Sequence, residues 1–295
     1  MTATADGDTL FAGERPRLLG LAYRMLGSLA DAEDVVQDAW LRWAGTDQSV
    51  VANPPAWLTT TTTRLSLDRL RTLSRRREDY VGPWLPEPVS VASADPSADP
   101  AAATELAESM TLGFLVVLDT LSATERAVFL LADVFGEPYA SIAAAVGKTE
   151  ENCRQIASRA RRKVRDARPP ETTPAPSDLL ARLLWATSVG DIDELLSLLD
   201  TDVVLLSDGG AERRAARRPV VGAEKVARFM VNLAKKLVAG SVEAGTLNGE
   251  EVVIFHLDDG PMVFGGDVVD GRFVSMQWQR NPSKLTHLDE PVELR

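Results

Sequence analysis

The chain has 295 residues, 45% hydrophobic and 25% charged, a balance that fits two or three globular domains and excludes a fibrous or disordered chain. Its single cysteine, Cys153, excludes an intramolecular disulfide and a cysteine-based zinc site. No run nears the roughly 18 apolar residues of a membrane span, and the N-terminus lacks the basic flank and apolar core of a signal peptide. A cytoplasmic protein without membrane contact is expected.

The net charge of −11 argues at first against a nucleic-acid partner, but its distribution does not. The acidic excess sits at the two ends, whereas residues 51–168 carry as many bases as acids. Two basic clusters stand out there: Arg69, Arg71, Arg75, Arg76 and Arg77, then Arg154, Arg159, Arg161, Arg162, Lys163, Arg165 and Arg168. Local clusters of this kind set phosphate binding. Two solvated helix faces are the plainer alternative.

Taken in chain order, residues 10–80 read as helices. Leu18, Leu19, Leu21, Ala22, Met25 and Leu26 recur at helical spacing, and Gly27-Ser28 stops them. Asp31 reads as the next N-cap, followed by Glu33 and Asp34 in the first turn and by Val35, Val36, Ala39, Trp40 and Trp43 on one stripe. Asn53-Pro-Pro-Ala56 opens a third helix. Thr59 to Thr63 are poor helix formers, so either packing imposes the helix there or it is irregular. Residues 85–104, rich in Pro, Ser, Ala and Asp, form a linker, and residues 169–177 form a shorter one.

Between the linkers the spacing predicts a helix-turn-helix. Tyr139–Val146 is the first helix, Gly147-Lys148 the turn, and Thr149 the N-cap of the second. In such motifs the early residues of the second helix face base edges. Thr149, Asn152, Arg154 and Gln155 are therefore the base-facing candidates, and Arg159, Arg161 and Arg162 the phosphate contacts. Cys153, within this helix, reads as a small packing residue. Residues 178–290 change texture. Helices are expected at Leu179–Leu184, Ile192–Leu199 and Val226–Leu237, and strands at Val203–Leu206, Val252–His256, Met262–Phe264 and Phe273–Trp278, an α+β domain.

Asp31–Trp43, Leu121-Ser-Ala-Thr-Glu-Arg126 and Tyr139–Arg162 together resemble regions 2 and 4 of extracytoplasmic-function sigma factors. Trp84-Leu-Pro-Glu-Pro88, Asp208-Gly-Gly210 and Asn281-Pro-Ser-Lys-Leu285 extend the resemblance to the SigJ-like subgroup, which carries a C-terminal SnoaL- or NTF2-like extension. The resemblance implies two all-α sigma domains and an α+β NTF2-like cone. It assigns residues 8–84 to region 2, 85–104 to the motif-bearing linker, 105–168 to region 4 and 178–290 to the extension.

The implied partners are core RNA polymerase, through the β′ clamp helices and the β subunit, and promoter DNA. The stretch matching the clamp-binding helix gives Asp34, Gln37, Asp38 and Arg42 as a polar rim around Val35 and Trp40. Arg64, Asp68, Arg69 and Arg71 are the candidates for the −10 element, because single-strand capture needs cations and a base pocket. In many relatives an asparagine occupies the place of Arg64. Trp84 and Pro86 are expected to dock on a site that includes Asp208, Asn281 and Lys284. The family's frequent Gly-Lys after Asp-Gly-Gly is replaced here by Ala211-Glu-Arg, and Ser283 stands where an acid is common.

Relatives of the extension's fold include isomerases and cyclases, which need a carboxylate base. Asp202, Asp208, Asp258, Asp267 and His256 fall in no catalytic pattern, and His287 reads as exposed. No catalytic residue, cofactor or metal is assigned, although an unknown small ligand in the extension stays open. A regulatory extension is the leading expectation. A ligand-sensing helix-turn-helix regulator, or an isomerase or cyclase fused to DNA-binding helices, are the alternatives.

Overall fold

The computed structural model describes residues 2–78, 80–91, 108–168, 171–235 and 240–294. Three helices open the chain: α1 (Thr2–Leu26), α2 (Leu29–Ala44) and α3 (Pro54–Glu78). Gly27 ends α1 at φ 69°, a conformation that costs glycine little. Ser28, rather than the expected Asp31, caps α2, and its side chain accepts the Asp31 N–H. Asp31 instead lies in the first turn and pairs with Arg69 of α3. Buried Thr59, Thr61, Thr62 and Thr63 sit within a continuous α3. Packing thus imposes the helix, and Thr59 and Thr63 satisfy their hydroxyls on the carbonyls of Pro55 and Thr59 at 2.8 and 2.7 Å.

Among the elements that lie wholly within the described residues, α4 (Leu112–Leu118), α5 (Ala123–Phe129), α6 (Tyr139–Val146) and α7 (Glu150–Ala167) follow. Ser122 and Glu125 form a reciprocal capping box on α5. A π-turn over Leu130–Val134 leads towards α6. α1–α3 and α4–α7 share one apolar core, in which Leu18, Leu26 and Leu58 join Leu118, Leu130 and Ile142. Arg126 reinforces it by donating to the Met25 carbonyl at 2.9 Å.

The C-terminal part is a seven-stranded sheet. Its strands are β1 (Thr173–Pro174), β2 (Leu199–Asp208), β3 (Val220–Val221), β4 (Ser241–Leu247), β5 (Glu250–Leu257), β6 (Gly260–Val269) and β7 (Arg272–Gln279). The order is β3-β2-β7-β6-β5-β4, with β1 beside β6. β2 and β7 run parallel and the other pairs antiparallel. One face packs on α8 (Ser177–Val189), α9 (Ile192–Leu198) and α10 (Ala223–Ala234). There Leu183, Leu195 and Met230 meet Leu205, Phe264 and Trp278.

The second linker is more ordered than its composition suggests, since its Thr173-Pro174 becomes β1. β4 was not expected, because alternating Val242, Ala244 and Thr246 sit on an exposed edge with little apolar signal. Most of the Pro/Ser/Asp-rich segment expected as the first linker, residues 92–104, lies outside the described residues.

Candidate nucleic-acid interface and interdomain dock

α6 and α7 meet across Gly147, which takes the left-handed conformation at φ 68°. Thr149 caps α7, its hydroxyl accepting the Asn152 N–H. Cys153, Ile156, Ala157 and Ala160 turn inward, so the opposite face is solvent-exposed and carries Asn152, Arg154, Gln155, Arg159, Arg161 and Arg162. Burial pushes the Cys153 thiol above its ordinary range, in keeping with a packing residue.

The cations on this face are not equivalent. Arg154 pairs with Glu150 at 2.8 Å and lies 5.0 Å over the Tyr139 ring. Arg161 pairs with Asp133 at 2.7 Å, which raises its guanidinium pKa. Among the described residues, the side chains of Asn152, Gln155, Arg159 and Arg162 have no protein partner.

On α2, Asp34, Gln37, Asp38 and Arg42 are exposed and Trp40 is half-buried. Val35 is a correction to the expected interface. It is buried with Val36, Ala39 and Trp43 on the inward stripe and does not reach the surface. The exposed apolar residue beside Trp40 is Leu41, at 53% exposure. Sequence reading passed over it because it lies off the apolar stripe.

On α3, Asp68 and Arg71 are exposed and paired with each other at 2.6 Å. Arg69 is held by Asp31. Arg64 reaches across to the helix-turn-helix and donates to the carbonyls of Ala144 and Ala145, at 2.6 and 3.3 Å, at the C-terminal end of α6. The four −10 candidates thus share one helix but not one environment. The side chains of Arg75, Arg76 and Arg77 lie outside those described.

The segment from Tyr80 to Val91 runs between the N-terminal helices and the sheet domain. Asp208, fully buried at the end of β2, gathers it in. One carboxylate oxygen accepts the Tyr80 hydroxyl at 2.6 Å and the Gly210 N–H at 2.9 Å. The other accepts the Leu85 N–H at 2.9 Å and Lys284 Nζ at 2.7 Å. Lys284 also donates to the Leu85 carbonyl at 2.6 Å, and its ammonium sits 3.9 Å from the Trp84 ring centroid. Gln279 donates to the Pro86 carbonyl at 3.1 Å, and Asn281 donates to the Tyr80 hydroxyl at 2.7 Å. Ser283 donates its hydroxyl to Asn281 at 2.9 Å, fixing that amide.

The other side of the segment holds α1 and α2. Glu87 accepts the Leu29 N–H at 2.8 Å, and Tyr23 donates to the Glu87 carbonyl at 2.5 Å. Burial raises the Glu87 carboxyl pKa. Asn248 bonds Val89 through both backbone and side chain, and donates to Tyr23 at 2.8 Å. Trp84, Asp208, Asn281 and Lys284 are therefore brought together, and Pro86 contributes its carbonyl. Sequence reading missed Tyr80, Gln279 and Asn248, which carry no local motif signal and meet only in the fold.

Of the residues weighed for catalysis, His256 is paired with Glu243 and His287 with Glu290, both on the surface. Asp267 is buried against Arg168 at 2.9 Å. Among the described residues no helix is long and apolar enough to cross a membrane.

Comparison with known families fits this geometry. Residues 10–76 match the family description Sigma-70 region 2, and residues 113–164 match Sigma-70, region 4. The ECF RNA polymerase sigma factor SigJ of Mycobacterium tuberculosis is 40% identical over 291 residues, spanning 94% of this chain and 92% of the relative. The probable ECF RNA polymerase sigma factor SigI of the same species is 33% identical over 265 residues, spanning 81% and 90%. The crystal structure of the M. tuberculosis SigJ protein superposes with a TM-score of 0.75 at 36% identity, over 96% of this chain and 99% of that one. With both helical regions matched and the C-terminal sheet domain included in the likeness, the chain belongs to the extracytoplasmic-function sigma factors.

Proposed function

We propose that this chain is a cytoplasmic, non-enzymatic promoter-specificity subunit whose own C-terminal domain controls when its two DNA-reading regions come apart. The observation that carries this reading is the segment 80–91, clasped by buried Asp208 and Lys284 on one side and by Gly27, Leu29 and Tyr23 on the other. As a sigma factor the protein binds core polymerase through the α2 face around Trp40 and Leu41, reads the −35 element with α7, and engages the −10 element with α3.

Elements named for positions 35 and 10 lie about 25 base pairs apart, on the order of 80 Å along B-DNA. In this structure α3 and α6 are in direct contact through Arg64. Reading both elements at once requires them to separate. Arg64 is then released from the carbonyls of α6 and becomes available to phosphate. The dock at Asp208 opposes or permits that separation, in place of a separate inhibitory protein.

Run-off transcription with core polymerase tests this. The full chain is expected to initiate at specific promoters, and Trp84→Ala is expected to change the initiation level several-fold while core binding persists. Absence of both core binding and initiation overturns the sigma assignment. Identical initiation by the two forms removes the regulatory role of the dock.

A further inference from the structure

We infer that the arginine-rich loop between β2 and β3 is a phosphate-contact surface, through which the C-terminal domain itself touches promoter DNA beside the −10 element. Residues 177–295 hold nineteen acids and thirteen bases, so this part of the chain as a whole repels nucleic acid. Four of those bases nevertheless crowd into one short stretch, Arg213, Arg214, Arg217 and Arg218, and Glu212 is the only acid between Gly209 and Pro219. Arg214, Arg217 and Arg218 are exposed, and their side chains have no partner among the described residues. Charges already held by a carboxylate are spent, whereas these three are available.

The loop is held in shape from below. The Arg213 N–H donates to the Gly209 carbonyl at 3.1 Å and closes a turn. Arg280, just past the end of β7 and 7% exposed, donates Nη1 to the Arg214 carbonyl at 3.1 Å and Nη2 to Asp259 at 2.9 Å. Arg213 Nη1 lies 3.6 Å from the same Asp259. Burial lowers the Arg280 pKa, Asp259 opposes that, and the Arg213 charge adds to it. Asp259 is thus shared by two guanidinium groups and does not neutralise the three arginines above them.

Position and neighbours select the partner. Gly82, at φ 89°, lies so close to the loop that a Cβ on it would stand 3.4 Å from the Ala216 carbonyl oxygen and from the Arg217 Cα. Gly82 follows shortly after α3, the helix that carries the −10 candidates. While the segment 80–91 is docked, the loop therefore travels with α3. Its other side chains are Ala211, Ala215, Ala216 and Pro219, with no large apolar group to enter a bilayer or to anchor a protein contact. A nucleic-acid backbone asks for cations alone, and the guanidinium fork matches a phosphate.

This inference rests on the promoter-specificity reading and adds a DNA contact outside both sigma regions. The experiment assembles the full chain with core polymerase and titrates it, at several salt concentrations, against a duplex fragment on which the full chain initiates. Arg214→Ser, Arg217→Ser and Arg218→Ser combined are expected to weaken promoter binding about tenfold and to lower the salt slope by about two to three, at ~0.9 per phosphate lost. Affinity for core polymerase is expected to stay unchanged. Lysine at the same three positions is expected to restore the slope, which separates lost charge from a damaged loop. Unchanged promoter affinity and slope in the serine variant overturn the proposal and leave the sigma reading standing. A loss of core affinity would assign the loop to the polymerase. Loss of binding to phosphatidylglycerol vesicles, with the promoter slope unchanged, would assign it to a membrane surface. Either result overturns the proposal. Failure of the parent complex to bind any promoter would instead remove the promoter-specificity reading, and this contact with it.

Discussion

At the scale of single residues, what a side chain is free to do depends on what already holds it. Arg161 and Arg162 are neighbours on α7 with the same chemistry, yet Arg161 is paired with Asp133 and Arg162 has no partner among the described residues. Arg162→Ala is therefore expected to weaken binding to −35 DNA evenly across sequences and to lower the salt slope by about one. Arg161→Ala should do less, because Arg161 must first give up Asp133. Titrations at several salt concentrations measure both slopes, and equal effects would remove the distinction.

Lys284 is the opposite case. It is the cation set against fully buried Asp208, and it also meets Leu85 and Trp84. Breaking one partner of a buried ion pair leaves the other charge uncompensated. Lys284→Met is expected to cost about 3–5 kcal/mol, read from urea unfolding. A loss below 1 kcal/mol would mean that the dock adds little to stability.

At the scale of elements, helices and turns were legible where local chemistry decided them. The stripe Val35, Val36, Ala39 and Trp43 placed α2, and Gly147 with Thr149 placed the turn of the helix-turn-helix. Legibility failed where the decisive contact was distant. Val35 belonged to that apolar stripe, and only the family resemblance gave it a place in the polymerase-facing surface; the packing of α2 buries it at 4% exposure. The Thr59–Thr63 run could be resolved only by the core that buries it.

Gly27 shows the same dependence. Locally it is a helix stop, but a Cβ placed on it would come 2.5 Å from the Trp84 ring, at a backbone φ of +69°. Its lack of a side chain thus serves both the turn and the seating of the linker. Gly27→Ala is expected to destabilise the protein by about 1–2 kcal/mol or more and to expose Trp84. Thermal unfolding together with solvent quenching of tryptophan emission checks this. A drop in stability without greater quenching would confine the effect to the turn.

At the scale of the whole molecule, the sequence announced the parts but not their mutual packing. The motifs around Trp84, Asp208 and Asn281 pointed to a dock, whereas the seam between α4 and the sheet had no linear signal. Glu250 shows what that seam costs. It lies at the start of β5, 5% exposed, and accepts the Leu112 N–H at 2.8 Å. Burial, and then the nearby Asp267 carboxylate, push its carboxyl up to about 8 from an ordinary 4.5, against the pull of the Leu112 hydrogen bond and of Arg168.

The sign of the effect follows from proton counting. Between pH 4.5 and about 8 the folded chain holds a proton on Glu250 that the unfolded chain has released. The unfolded state then binds fewer protons, so stability falls as pH rises through this window, by about 1.4 kcal/mol per unit from this one group. Stability from the neutral carboxyl is complete below 4.5 and is lost as pH passes 8. Glu250→Gln keeps the carbonyl that accepts Leu112 and removes the titration. The variant is expected to unfold at a higher temperature than the parent at pH 8, with the gap narrowing towards pH 5. Parallel melting curves across that range would mean that the seam hydrates on deprotonation, so that α4 leaves the sheet without unfolding the chain.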